Sequence, residues 1–362
     1  MKYIDEFRDP ALARQLLDDI SAHSTRPINL MEFCGGHTHA IFKFGIRQLL
    51  PPTVRLLSGP GCPVCVTANA DLDRAIAIAR LPEVITATFG DMLKVPGSRA
   101  SLQQVRAEGA DVRVVYSTLD AVQIAQQNPA RSVVFLGVGF ETTAPTVAAA
   151  ILQAQAQELS NFYILSMHKL TPPATQAILN AGEVRLSGVI GPGHVTTIIG
   201  SEAWQFLPSD HGIPVAVAGF EPLDILRGVR ALVEQAEKGR PAVVNTYSRS
   251  VRPEGNCTAL EILYRVFAVG DAPWRGFGAV PASGLNLRPE FTRFDAARAF
   301  PVDPGPVREH KGCRCGEVLR GVIAPPRCPL FRAACTPQNP IGPCMVSAEG
   351  ACAAYFMYGE EI

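Results

Sequence analysis

Residues 133–147 read VVFLGVGFETTAPTV. An unbroken apolar run, rich in β-branched side chains and too short for a helix, passes through a glycine turn into a helix that starts near Ala144. That is the grammar of a buried parallel strand followed by its covering helix. Similar apolar runs lie at 28–33, 54–57, 84–88, 112–116, 162–166, 188–190 and 215–218, with helical stretches between them. A further helix over 4–22 carries Phe7, Leu12, Leu16, Leu17 and Ile20 on its apolar side. Strands alternating with helices imply an α/β fold with parallel sheets covered on both faces.

Ser58-Gly59-Pro60-Gly61-Cys62 resembles Ile190-Gly191-Pro192-Gly193-His194, 132 positions on. Phe33-Cys34-Gly35-Gly36-His37 and Leu165-Ser166-Met167-His168 precede the two at nearly the same offset, and Thr88-Phe89-Gly90-Asp91 pairs with Ala218-Gly219-Phe220-Glu221. The expectation is two similar α/β domains whose strand ends face a shared cleft, where α/β proteins bind ligands. The boundaries expected are an N-terminal helix over 1–27, a first domain over 28–158, a second over 159–250 and a C-terminal lobe over 251–362. In that lobe proline and glycine become frequent and strand patterns fade.

Lys+Arg and Asp+Glu both number 33, so no net field draws the chain to nucleic acid or to an anionic membrane. No run approaches the ~18 apolar residues of a membrane span. The opening MKYIDEFRDPALARQLL is charged and lacks the apolar core of a signal peptide. A cytoplasmic protein is expected.

In a reducing compartment ten cysteines point to metal or redox chemistry rather than to structural disulfides. Cys313, Cys315, Cys328, Cys335, Cys344 and Cys352 crowd into the last fifty residues. Cys313, Cys328, Cys335 and Cys352 follow a C-x14-C-x6-C-x16-C spacing, without the paired C-x2-C knuckles of a zinc ribbon. Four thiolates suffice for a [4Fe–4S] cluster, and structural zinc is the competing reading. Cys315 and Cys344 are left over, either as a dithiol/disulfide pair or as buried apolar residues.

Upstream, Cys62 and Cys65 form C-P-V-C after a Gly-Pro-Gly turn and before a helix, where helix N–H groups favour a thiolate. That suits a reversible disulfide or a soft metal. Cys34 opens C-G-G-H-T-H, in which His37 and His39 are candidates to bind metal, hold water or donate a proton. Glu141 is a proton-handling group or simply a helix-end charge. His194, the counterpart of Cys62, faces the same cleft or packs inward.

Together CGGHTH (34–39), GPGCPVCVT (59–67), GFETT (139–143), GPGHVTTIIG (191–200) and the cysteine-rich tail resemble the HypD hydrogenase maturation proteins over nearly the whole chain. The resemblance implies two α/β domains and a third lobe holding a [4Fe–4S] cluster on Cys313, Cys328, Cys335 and Cys352. It makes Cys34 the iron-holding cysteine, Cys62 and Cys65 a redox-active pair that contacts iron or only cycles as a disulfide, and Cys315 and Cys344 a second pair near the cluster. It implies assembly of the Fe(CN)2CO group of [NiFe] hydrogenases, with the chaperone HypC and the cyanide donor HypE as partners. The chain would then be a redox-active scaffold more than a conventional turnover enzyme. The rival expectations are a thiol–disulfide reductase of the ferredoxin:thioredoxin reductase type and a zinc-stabilised binding protein.

Overall fold

The computed structural model describes residues 5–359. Its chain order is strand, helix, strand almost throughout: β1 (Ile28–Glu32), β2 (Val54–Ser58), β3 (Val84–Thr88), β4 (Asp111–Val114), β5 (Ser132–Gly137), β6 (Phe162–Ser166), β7 (Gly188–Pro192), β8 (Val215–Ala218), β9 (Val243–Asn245), then β10 (Phe267–Trp274) and β11 (Gly278–Leu287). The runs singled out in the sequence become β1 to β8 within a residue or two at most ends. In the inner strands the central residues are buried from both sides, as parallel strands under helices require, while the edge strands β2 and β4 expose Arg55 and Val114.

Two parallel sheets result, one of five strands in the order β2-β1-β7-β8-β9 and one of four in the order β4-β3-β5-β6. The pairing crosses the division expected at 158/159. β1 and β2 join β7, β8 and β9, while β3 to β6 form the other sheet. The apolar runs fix that strands exist; nothing in a run of Val and Ile names its neighbour. The helix Pro222–Lys238 packs on β7 and β8 beneath the helix Pro10–His23, burying Leu226, Val229 and Leu232 with Ile20 and Leu30.

The lobe after 250 contains a structure the sequence did not announce. β10 and β11 form a long antiparallel hairpin with a bulge between Gly270 and Ala272. Pro273, Gly270 and Gly284 interrupt the alternation that would have revealed it. The hairpin clips onto the C-P-V-C segment: the Arg275 N–H donates to the Val66 carbonyl at 2.9 Å, and Thr67 bridges to Trp274. Among the described residues no helix is long and apolar enough to cross a membrane.

Candidate functional site

In the five-stranded sheet β1 connects to β2 on one side, while its other neighbour is β7, so the strand order reverses between β1 and β7. A crevice at the C-terminal ends of those two strands is where open α/β sheets bind ligands. Cys34 follows β1 and His194 follows β7. Cys62 follows the neighbouring β2, and Phe220 follows β8. The sequence motifs therefore meet along one edge of one sheet, not across two facing domains.

Glycine lets the loops touch. The Gly35 N–H donates to the Gly61 carbonyl at 2.8 Å. A Cβ on Gly61 would lie 2.2 Å from the Cys34 backbone nitrogen. Cys34 is partly exposed and stands at the N-cap position of the helix Gly35–Lys43 without a side-chain capping hydrogen bond, its thiol near the N–H groups of Gly36 and His37. Burial, reinforced by the Glu349 and Glu32 carboxylates, outweighs those donors and pushes the thiol up to about 12.

Two carboxylic acids that sequence reading missed complete this wall. Glu32, the last residue of β1, accepts from the Cys34 N–H at 3.0 Å and from the Thr38 hydroxyl; burial pushes it to about 8. Glu349 of the C-terminal lobe lies over Gly35, whose Cβ would come within 2.4 Å of its own. Burial and then Asp91 raise its pKa. Neither acid stands in a recognisable motif, and only the fold brings Glu349 across more than 300 residues.

The histidines divide. His37 is fully buried, its Nε2–H shared between the Ala218 and Gly219 carbonyls at 3.1 and 3.0 Å. Burial lowers it to about 4, so it is neutral, with Nδ1 left unpartnered. Its first role is to strap the Cys34 helix to the end of β8. Phe220 stacks between His37 (4.7 Å) and the exposed His194 (3.9 Å). His39 packs edge-on against Tyr358. Glu141 is on the other sheet, buried after β5. Its Oε1 accepts from the Thr171 N–H at 2.8 Å and so caps the helix Thr171–Ala181; burial raises it to about 7. It lies outside the β1/β7 crevice.

Cys62 and Cys65 are joined as a disulfide, with Cα atoms 5.3 Å apart, at the start of the short helix Pro63–Val66. The Cys65 sulfur lies 3.8 Å from the Pro343 carbonyl, against the C-terminal lobe. The next residue, Cys344, has its sulfur 2.6 Å from that of Cys315. Cys315 accepts from both the Cys313 and Cys344 thiols and faces the Arg275 guanidinium, so its thiolate is favoured and theirs are not.

All six tail cysteines line one small apolar hollow with Val318, Leu330, Phe331 and Met345. Cys335 accepts the Ile341 N–H at 3.3 Å, and burial together with Cys352 and Cys328 raises its pKa. Thiols packed this closely resist joint ionisation unless a metal charge compensates. The donor set, all sulfur and water-excluding, fits an iron–sulfur cluster. Among the described residues no group of three or more His, Cys, Asp or Glu is gathered about a point that would hold a single ion. Cys257 is exposed at the start of a helix, away from these residues.

Comparison with known proteins agrees with this assembly of motifs. Residues 11–359 match the HypD family, described as the hydrogenase formation hypA family. The chain is 51% identical over 370 residues to the hydrogenase expression/formation protein HupD of Azotobacter chroococcum mcd 1, covering 100% of this chain and 98% of that one. It is 50% identical over 370 residues to the hydrogenase maturation factor HypD of Azotobacter vinelandii, with coverage of 100% and 98%. It is 46% identical over 369 residues to the hydrogenase maturation factor HypD of Escherichia coli (strain K12), with coverage of 100% and 99%.

Proposed function

The chain belongs to the HypD family and is a hydrogenase maturation factor, and from that premise we propose that it is the scaffold on which an iron ion receives its cyanide and carbonyl ligands. The observation that supports this most directly is the meeting of the Cys34 and Gly61-Cys62 loops at the β1/β7 switch point, backed by thiol pairs that run toward the cysteine-rich lobe. Iron is cargo here, and the Cys34 sulfur is its soft ligand. A thiol held near 12 gives up its proton only as a cation replaces it, so loading is coupled to proton release. Glu32 and Glu349, both biased toward the protonated form, are the crevice groups that exchange protons during loading. His194 and Phe220 form the outer rim, where a second protein ligand to the iron can approach. HypC is the proposed supplier of that ligand, HypE the proposed cyanide donor, and the cytoplasm the proposed setting.

Cys313, Cys328, Cys335 and Cys352 are the residues that would hold a [4Fe–4S] cluster, which supplies one-electron chemistry when bound. Cys315 and Cys344 form the redox pair nearest those ligands, and Cys62 and Cys65 the pair nearest Cys34. The contact of Cys65 with Pro343, the neighbour of Cys344, supports an arrangement in series. The comparisons lend nothing to a free-standing thiol–disulfide reductase.

Infrared spectroscopy of the anaerobically purified complex with HypC tests the scaffold reading. Bands from iron-bound carbonyl and cyanide are expected, and they disappear in Cys34→Ala. A complex with iron but no such bands, or unchanged bands in Cys34→Ala, overturns it.

A further inference from the structure

Beside the cysteine hollow a second cavity, of about 300 Å3, opens to solvent. Its floor includes Cys313 and Cys315, and its walls include Arg275, Arg308, His310 and Asn69. Arg275 is 8% exposed, which for a guanidinium is deep burial. Its Nε donates to the Thr67 carbonyl at 3.1 Å and its Nη2 to the Asn69 side chain. Among the described residues no carboxylate is within ion-pair reach of it. The Cys315 thiolate that faces it is its counter-charge in the dithiol state, and a disulfide at Cys315 removes that charge and leaves a buried cation without a partner. Arg308 stands at the rim on a fixed backbone: its N–H donates to Ser98 Oγ at 2.7 Å, and its carbonyl accepts from Asn69 Nδ2 at 2.9 Å. The sole acid in the lining, Glu309, is exposed. The cavity is thus a small basic pocket with a thiol floor, at the lower end of the size range of small-molecule sites.

We propose that this pocket binds a small acidic thiol, whose carboxylates meet Arg275 and Arg308 and whose sulfur reduces the Cys315–Cys344 pair. The proposal rests on Cys315 and Cys344 acting as a redox pair. The ligand thiolate attacks the Cys315 sulfur, forming a mixed disulfide and releasing Cys344 as thiolate. A second ligand thiol attacks the mixed disulfide, freeing Cys315 and leaving as the ligand disulfide. Two ligand thiols are oxidised, one protein disulfide is reduced, and the two thiol protons end on Cys315 and Cys344. Cys344 has no place in the basic pocket, so the attack falls on Cys315, the member of the pair that lines it. Access also explains the order of events: electrons enter on the solvent side of the lobe, opposite in series to the crevice of Cys34.

The test uses the full-length protein, oxidised under controlled conditions, with the state of Cys315 and Cys344 read by alkylation and mass spectrometry. Reduction by glutathione should saturate with concentration and exceed that by its diester, which lacks both carboxylates, about tenfold for each charge-assisted contact of ~1.4 kcal/mol. In Arg308→Ala half-saturation should move to about tenfold higher glutathione, and the preference over the diester should fall by the same factor. S-methylglutathione, which cannot react, should protect Cys315 in the reduced protein from alkylation, at about tenfold higher concentration in Arg308→Ala than in the wild type. Equal, unsaturated rates for the two thiols, with no protection, overturn the pocket but leave the redox pair standing. Failure of a Cys315–Cys344 disulfide to form at all overturns both.

Discussion

Gly35 and Gly61 are joined backbone to backbone, N–H to carbonyl at 2.8 Å, and this contact welds the Cys34 loop to the disulfide loop. Neither glycine has room for a side chain. A Cβ on Gly61 would sit 2.4 Å from the Cys34 Cα and one on Gly35 2.4 Å from the Glu349 Cβ. Backbone cannot yield as a flexible side chain does. Gly61→Ala should therefore cost about 1–3 kcal/mol and abolish iron retention at Cys34, while visible absorption from the cysteine-rich lobe persists. Differential scanning calorimetry and iron analysis check it; a variant that keeps both iron and stability sinks it.

Cys34→Ala should abolish hydrogenase maturation without disturbing the fold. The side chain is partly exposed and makes no capping hydrogen bond of its own. A melting temperature within a few degrees of wild type is expected. Maturation that survives in the variant, or a lost cluster, contradicts the assignment.

Cys328→Ala should remove acid-labile sulfide and the visible sulfur-to-iron absorption, whereas Cys257→Ala should leave both intact. Cys328 lines the hollow, and Cys257 is exposed elsewhere. Anaerobic protein that carries one zinc and no sulfide would decide for the zinc reading instead.

Glu141→Gln should flatten the pH dependence of stability and spare maturation. Burial raises the folded-state pKa of Glu141 to about 7, above an unfolded value of 4.5. The unfolded chain loses that proton first. The stabilisation is thus complete below about pH 4.5 and is lost as pH rises through about 7. The loss is on the order of 3 kcal/mol. His37 and His168, lowered by burial to about 4 and about 3, act in the opposite sense, losing stability as pH falls below 6.5. Glutamine keeps the bond to the Thr171 N–H without the ionisation. Melting curves from pH 5 to 8 should therefore converge on a shallower slope in the variant, and an unchanged slope refutes the buried-acid account.

Much of this molecule was legible before folding. The eight apolar runs named β1 to β8, because burial from both sides leaves a continuous hydrophobic signature. The motifs around Cys34 and Cys62 were legible as well, but not the contact of Gly35 with Gly61 that joins them. Partnership was not legible. β1 pairs with β7 across more than 150 residues, and no local pattern encodes that choice. The β10–β11 hairpin was hidden by its own proline and glycines. Glu32, Glu349, Phe220 and Arg275 were invisible because each acquires a role only through a neighbour brought from far along the chain. Glu141 and His37 stood in motifs, but their buried hydrogen bonds go to backbone.

The interleaved sheet has a consequence for biogenesis. A ribosome delivering the chain from its N-terminus releases β1 and β2 early, but their missing neighbours β7 to β9 end only at Asn245. Until then the Cys34 loop lacks the β7 and β8 strands and the helix Pro222–Lys238, whose Leu226, Val229 and Leu232 complete the core under β1. Pairings of such long sequence separation form late and slowly. A newborn chain therefore lacks the β1/β7 crevice for most of its synthesis. If Cys34 takes iron as proposed, loading waits until β9 has been made.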